Sequence, residues 1–146
     1  MTLPRPEPGL VIRYSYLWAA DAEAGRDEGS KDRPCAIVAG RRVVSGLEIV
    51  TVVPVTHSPP RDANDAIELP AALKAHLGLD AKRSWIIVSE TNDFVWPGPD
   101  IRPVPGRTGS KRYTYGVLPP RFFSHVRDRI LARANEHRLR RISRSE

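Results

Sequence analysis

Two short stretches carry residue types that could act together on a phosphate group. The first is Lys31-Asp32-Arg33-Pro34, which runs directly into Cys35, Ala36, Ile37, Val38 and Ala39. Proline is tolerated at the first position of a strand, and it pushes the residue before it into an extended backbone. Arg33 is thereby held on a rigid base beside a charged loop. A guanidinium so placed is a permanently charged planar fork that can bond two phosphate oxygens. The competing reading is a surface ion pair with Asp32 or Glu28, which contributes little. The second stretch is Val53-Pro54-Val55-Thr56-His57-Ser58, a strongly apolar strand ending in two hydroxyls and an imidazole. Sites on rigid scaffolds favour the loops that follow strands. The same three residues also suit an ordinary turn.

The elements that must position these groups are short strands. Residues 8–20 open with a Pro-Gly turn and continue as a β-rich, aromatic strand, followed by a charged loop over 21–31. Residues 33–42 and 47–58 form the next two strands, joined as a hairpin through Val43-Val44-Ser45-Gly46. A turn-rich loop at 59–65 leads to a short strand at 66–70 and a short helix at 71–79, stopped by Gly78. Residues 84–96 read as one strand bent near Asn92-Asp93, 97–112 as a loop, and 113–118 as a last short strand. Residues 119–137 form the one long helix: proline sits in its first turn, and Phe122, Phe123, Val126, Ile130 and Ala134 recur at helical spacing. Residues 138–146 read as a frayed basic tail. The expected architecture is a small mainly β barrel closed by a C-terminal helix, in one domain spanning 1–146.

The totals agree with a globular chain. Of 146 residues, 40% are hydrophobic and 27% charged, enough to bury a core without staples. The formal charge of +6 suggests a polyanionic partner, although seven arginines lie in the last 20 residues. The single cysteine excludes an internal disulfide, and no Cys/His spacing suggests a metal site. No apolar segment near the N-terminus reads as a signal peptide, so the expected location is cytoplasmic. No apolar run reaches the length of a membrane span.

The order Pro8-Gly9-Leu10-Val11, charged loop, Lys31-Asp32-Arg33-Pro34 with its apolar run, then Val53-Pro54-Val55-Thr56-His57-Ser58 resembles the MazF/PemK family of toxin endoribonucleases of type II toxin–antitoxin systems. The resemblance extends from Pro8 to about Leu131, and its specific parts are the Arg-Pro and Pro-Val-Thr elements. It implies an SH3-like barrel, a homodimer, a cognate antitoxin protein as partner, and cleavage of single-stranded RNA without metal or cofactor. On this mapping Arg33 and Thr56 are catalytic. The chain departs from the family at Leu10, where an acidic residue is usual, in the acidic loop bearing Asp21, Glu23, Asp27 and Glu28, and in the long proline-rich 97–112 segment.

Such cleavage uses the 2′-hydroxyl as nucleophile and leaves 2′,3′-cyclic phosphate and 5′-hydroxyl ends. It needs a base, an acid and positive charge on the transition state. Arg33 suits the charge, and Thr56 can orient a phosphate oxygen or the 2′-hydroxyl. His57 carries the group that ordinarily titrates near neutrality and is a candidate base or acid, provided the strand has ended before it. Ser30, Lys31 and Ser58 are candidate substrate contacts, and Glu90 a candidate acceptor from a base edge. Trp18, Trp85 and Trp96 suit base stacking or, for Trp85 especially, the core. Cys35 is a packing residue, and His76 and His137 are surface residues. The arginines after residue 126 form either an RNA-facing patch or a solvated helix face. A different class of function fits the same chain: a non-catalytic SH3-like barrel that binds RNA or a partner peptide.

Overall fold

The strands form where the chain alternates. In β1 (Leu10–Ser15), β2 (Asp32–Val44) and β3 (Leu47–Thr56) successive side chains point to opposite faces of one sheet. Val11, Ala36, Val53 and Val55 bury together on one face, whereas Leu10, Ile12, Tyr14, Cys35, Ile37, Val50 and Val52 bury on the other. The computed structural model describes residues 3–29 and 31–144, with Arg41 and Arg42 described by backbone alone. Both faces are therefore apolar, and each needs its own cover.

The first face is covered by α2 (Ala71–His76), through Leu73, and by α3 (Pro120–Asn135), through Val126 and Ile130. On the second face Phe94 stacks on Tyr14 with ring centroids 4.6 Å apart, and Ile101 and Tyr113 close the layer. Burying a side chain of this size contributes about 1.5–3 kcal/mol. Cys35 is fully buried in this layer, in keeping with a packing role, and burial pushes its thiol pKa up.

The remaining strands are β4 (Ala66–Glu68), β5 (Trp85–Ile87), β6 (Glu90–Val95), β7 (Ile101–Arg102), β8 (Thr114–Val117) and β9 (Arg140–Ser143). The fold is mainly β with a C-terminal helix. Its strands run in the order β4-β5-β3-β2-β1-β7, with β6 also on β3, β8 on β1, and β9 parallel to β6. Among the described residues this path does not return on itself, so the sheet is open where a small barrel was expected. β3 changes partner along its length. Ile49–Val52 pair with β6, and Val55 and Thr56 pair with β5. Pro54, which has no N–H to offer, falls between the two partnerships. The β2–β3 hairpin turns at Ser45-Gly46, where both residues have positive φ, 51° and 80°.

Four further expectations are corrected. The segment 84–96 is two strands, broken at Val88-Ser89 rather than bent at Asn92-Asp93. Asn92 sits in regular strand and is fully buried, because its amide pairs with the Leu17 backbone: Leu17 N–H donates to Oδ1 and Nδ2 donates to Leu17 O, both at 2.8 Å. The expected loop at 21–31 begins with α1 (Ala19–Glu23), an alanine-rich turn whose Ala19 N–H is satisfied by Glu90 Oε1 at 2.8 Å. The expected loop at 97–112 contains β7. The expected frayed tail is instead β9 followed by Arg144, a buried guanidinium bonded to Ser15 O at 2.7 Å and to Asp100 at 2.9 Å. Among the described residues no helix is long and apolar enough to cross a membrane.

Candidate active site

Strand register brings the two sequence stretches together. In the antiparallel β2–β3 pair Cys35 lies opposite Pro54, and continuing that register by two residues along each strand brings Arg33 towards Thr56. On its other side Arg33 lies opposite Tyr14 of β1, and Thr56 lies opposite Trp85 of β5. Arg33, Thr56 and His57 line one cavity of about 370 Å³, together with Arg13, Lys31, Asp32 and Asp80. The strand ends at Thr56, which removes the alternation that would have turned His57 to the other face.

Arg33 is not a surface residue. It is 9% exposed, its guanidinium lies over the Trp18 ring at 4.9 Å, and its Nη1 donates to Val55 O at 3.4 Å. Its Nε is buried without a hydrogen-bond partner among the described residues. The expected surface pairing with Asp32 or Glu28 is not formed among the described residues; Asp32 lies instead against Arg13 at 3.7 Å and Arg102 at 3.6 Å. Burial lowers the Arg33 pKa from its ordinary value, yet arginine stays charged. A buried donor without a partner costs about 1–3 kcal/mol, so the fold holds a cation here at the expense of stability. The chain returns to this site through Gly29, where a Cβ would come within 2.5 Å of Tyr16 O.

His57 is partnered. Its Nε2 lies 2.9 and 3.1 Å from the two oxygens of Asp80, which also accepts from Lys74 Nζ at 2.9 Å and from Lys82 N–H at 3.1 Å. The Lys74 hydrogen bond is the main cause that holds the Asp80 carboxyl below its ordinary pKa. This wall of the cavity is fixed by Arg107, which donates to Thr114 O at 2.6 Å and to Leu77 O at 3.1 Å. Gly78 lets the α2 end pass Arg107: it has φ 68°, and a Cβ there would stand 2.6 Å from Nη2. Thr56 Oγ1 accepts from Ser58 N–H at 3.1 Å, which orders the turn.

The other candidates separate. Lys31 is exposed at the cavity rim. Ser58 is exposed, does not line the cavity, and donates its backbone N–H to Thr56 Oγ1. Glu90 is not at this site: it accepts from Tyr16 Oη at 3.1 Å and from Ala19 N–H, and borders a different cleft with Arg133, Arg138 and Arg140. Ser30 lies outside the described residues. Trp85 is buried in the core, and Trp18 serves Arg33. None of residues 19–29 lines the Arg33 cavity. Sequence reasoning missed Asp80, Lys74 and Arg13. No spacing links residue 57 to residue 80; the pair exists because the end of β3 meets the loop after α2.

Comparison of the chain with protein-family models finds no match, and none of the curated proteins compared with it matches either.

Proposed function

We propose that the protein is a metal-independent endoribonuclease of the MazF/PemK toxin type, cutting single-stranded RNA through attack of a 2′-hydroxyl on the adjacent phosphate. One observation carries this reading: a buried guanidinium with no carboxylate partner among the described residues opens on the same cavity as Thr56 and His57. A cation held unpaired in a cavity is prepared for an anion, and the developing charge of a pentavalent phosphate suits it without reorganisation. Around it the lining carries three cations, Arg13, Lys31 and Arg33, against two carboxylates, Asp32 and Asp80. Both carboxylates are already paired with neighbouring cations. Thr56 is a donor and acceptor at the strand end, suited to orient the 2′-hydroxyl or a non-bridging oxygen. His57 is the proton acceptor, supported by a carboxylate behind it.

In this reading the protein is the toxin of a pair and is held in check by an antitoxin that covers the cavity. The test is incubation of single-stranded RNA with purified protein in EDTA. The reading expects 5′-hydroxyl and 2′,3′-cyclic phosphate ends. RNA that is bound but never cut would favour the non-catalytic barrel instead.

A further inference from the structure

We infer that Asp80, anchored by Lys74, is a positioning residue that fixes His57 as the Nε2–H tautomer and so leaves Nδ1 as the proton acceptor. The inference rests on the nuclease reading of the same cavity and assigns roles to two residues that the Arg-Pro and Pro-Val-Thr stretches do not contain.

Hydrogen-bond polarity sets the tautomer. An ionised carboxylate can only accept. Both Asp80 oxygens face His57 Nε2, at 2.9 and 3.1 Å, so Nε2 carries the hydrogen. In the neutral ring the other nitrogen is then unprotonated. Asp80 cannot turn away, because its Oδ1 is held by Lys74 Nζ at 2.9 Å and by Lys82 N–H at 3.1 Å. Lys74 is itself fixed: it is 5% exposed and also donates to the Lys82 carbonyl. A buried ammonium placed against a half-exposed carboxylate is a costly way to make a surface ion pair, and it has a use if the carboxylate must hold one orientation.

In the step so arranged, the 2′-hydroxyl proton passes to Nδ1 while the 2′-oxygen bonds to phosphorus. The P–O5′ bond breaks, and the departing 5′-oxygen takes a proton from a water molecule at the open rim. The imidazolium returns its proton to the hydroxide left behind, so the enzyme ends as it began.

Asp80→Asn tests this with an expected sign. The Oδ1 position must remain an oxygen, because Lys74 and the Lys82 amide both donate to it. The new NH₂ therefore takes the Oδ2 position, the nearer of the two to Nε2, and donates to it, which favours hydrogen on Nδ1. Asp80→Ala removes the partner and leaves both tautomers populated. The order of effects is thus the reverse of what loss of a structural contact would give. With a single-stranded oligoribonucleotide, kcat should fall about 100-fold in Asp80→Asn and about tenfold in Asp80→Ala, with KM changed by less than about threefold. Independently of activity, histidine ¹⁵N shifts at about pH 8, where an ordinary imidazole is neutral, should show His57 as Nε2–H in the wild type and Nδ1–H in Asp80→Asn. His57→Gln assigns the signal. Cleavage by the wild type with unchanged kcat in Asp80→Asn, or an Nδ1–H tautomer in the wild type, overturns the inference and leaves the nuclease reading standing. Intact RNA with the wild type overturns the nuclease reading, and the positioning role of Asp80 with it.

Discussion

Arg33 is where function and stability pull in opposite directions. Its burial without a counter-ion among the described residues destabilises the fold, so replacing it with an apolar residue of similar length should not harm folding. Arg33→Met is expected to melt at or above the wild-type temperature while cleavage falls about 100- to 1000-fold, the usual loss for a donor at developing charge. A variant that loses activity only because it unfolds would show the opposite melting shift. Glu90 offers a second residue-scale prediction, on stability alone. Burial raises its pKa above the ordinary 4.5, so the folded chain holds that proton more tightly than the unfolded chain. The stability tied to this group is therefore present below about pH 4.5 and is lost as pH rises through the raised value. Glu90→Gln keeps the acceptor for Tyr16 and Ala19 but has no charge to bury. Its denaturation midpoint at neutral pH should equal or exceed the wild-type value, and any excess of the variant over the wild type should vanish at acid pH. A midpoint clearly below wild type at neutral pH would contradict this.

At the scale of elements, the C-terminal strand matters more than its composition suggests. β9 lies parallel to β6, and Arg144 beyond it joins Tyr14 Oη at 3.2 Å, Ser15 O, Asn92 Oδ1 at 3.3 Å and Asp100. These partners belong to β1, to β6 and to the segment before β7. Arg144→Ala should destabilise the chain by about 3 kcal/mol, the usual result of removing one member of a buried charged network. A chemical denaturation curve measures it, and a loss under about 1 kcal/mol would mean that the tail is dispensable.

This network also shows what the sequence could not say. β1, β2, β3, α2 and α3 were legible because their apolar residues repeat at periods of 2 and 3.6 and their ends carry Pro, Gly or Ser. Arg33 and Thr56 were legible because a proline and a long apolar strand bracket them. β9 was not, since Arg140, Arg141 and Arg144 have the composition of a solvated tail and owe their places to partners 40 to 130 positions away. Asp80 was illegible for the same reason: its value lies in a contact 23 residues away that no periodicity encodes. The surroundings of Glu90 were illegible too, because a strand-end carboxylate resembles a site residue until its backbone partner in α1 is known.

For the whole molecule, net charge and cavity geometry make separate contributions. The chain carries +6, and the cavity rim adds Arg13 and Lys31 to the buried Arg33. Affinity for single-stranded RNA should therefore fall as salt rises, with a logarithmic slope of about −0.7 for each phosphate neutralised. Arg13→Ala and Lys31→Ala should each flatten that slope by about one phosphate contact while leaving the cleavage position unchanged. Fluorescence anisotropy at several salt concentrations measures both. A salt-independent affinity would place recognition outside the cationic cavity.

On the proposed function, the cavity shared by Arg33 and Thr56 cuts RNA by itself. The most direct measurement is the chemistry of the ends produced when purified protein meets single-stranded RNA in EDTA, with Arg33→Met beside the wild type. The account predicts 5′-hydroxyl and 2′,3′-cyclic phosphate ends from the wild type, and intact RNA from an Arg33→Met protein that is fully folded. Intact RNA at excess wild-type protein, 5′-phosphate ends, or undiminished cutting by Arg33→Met would contradict it.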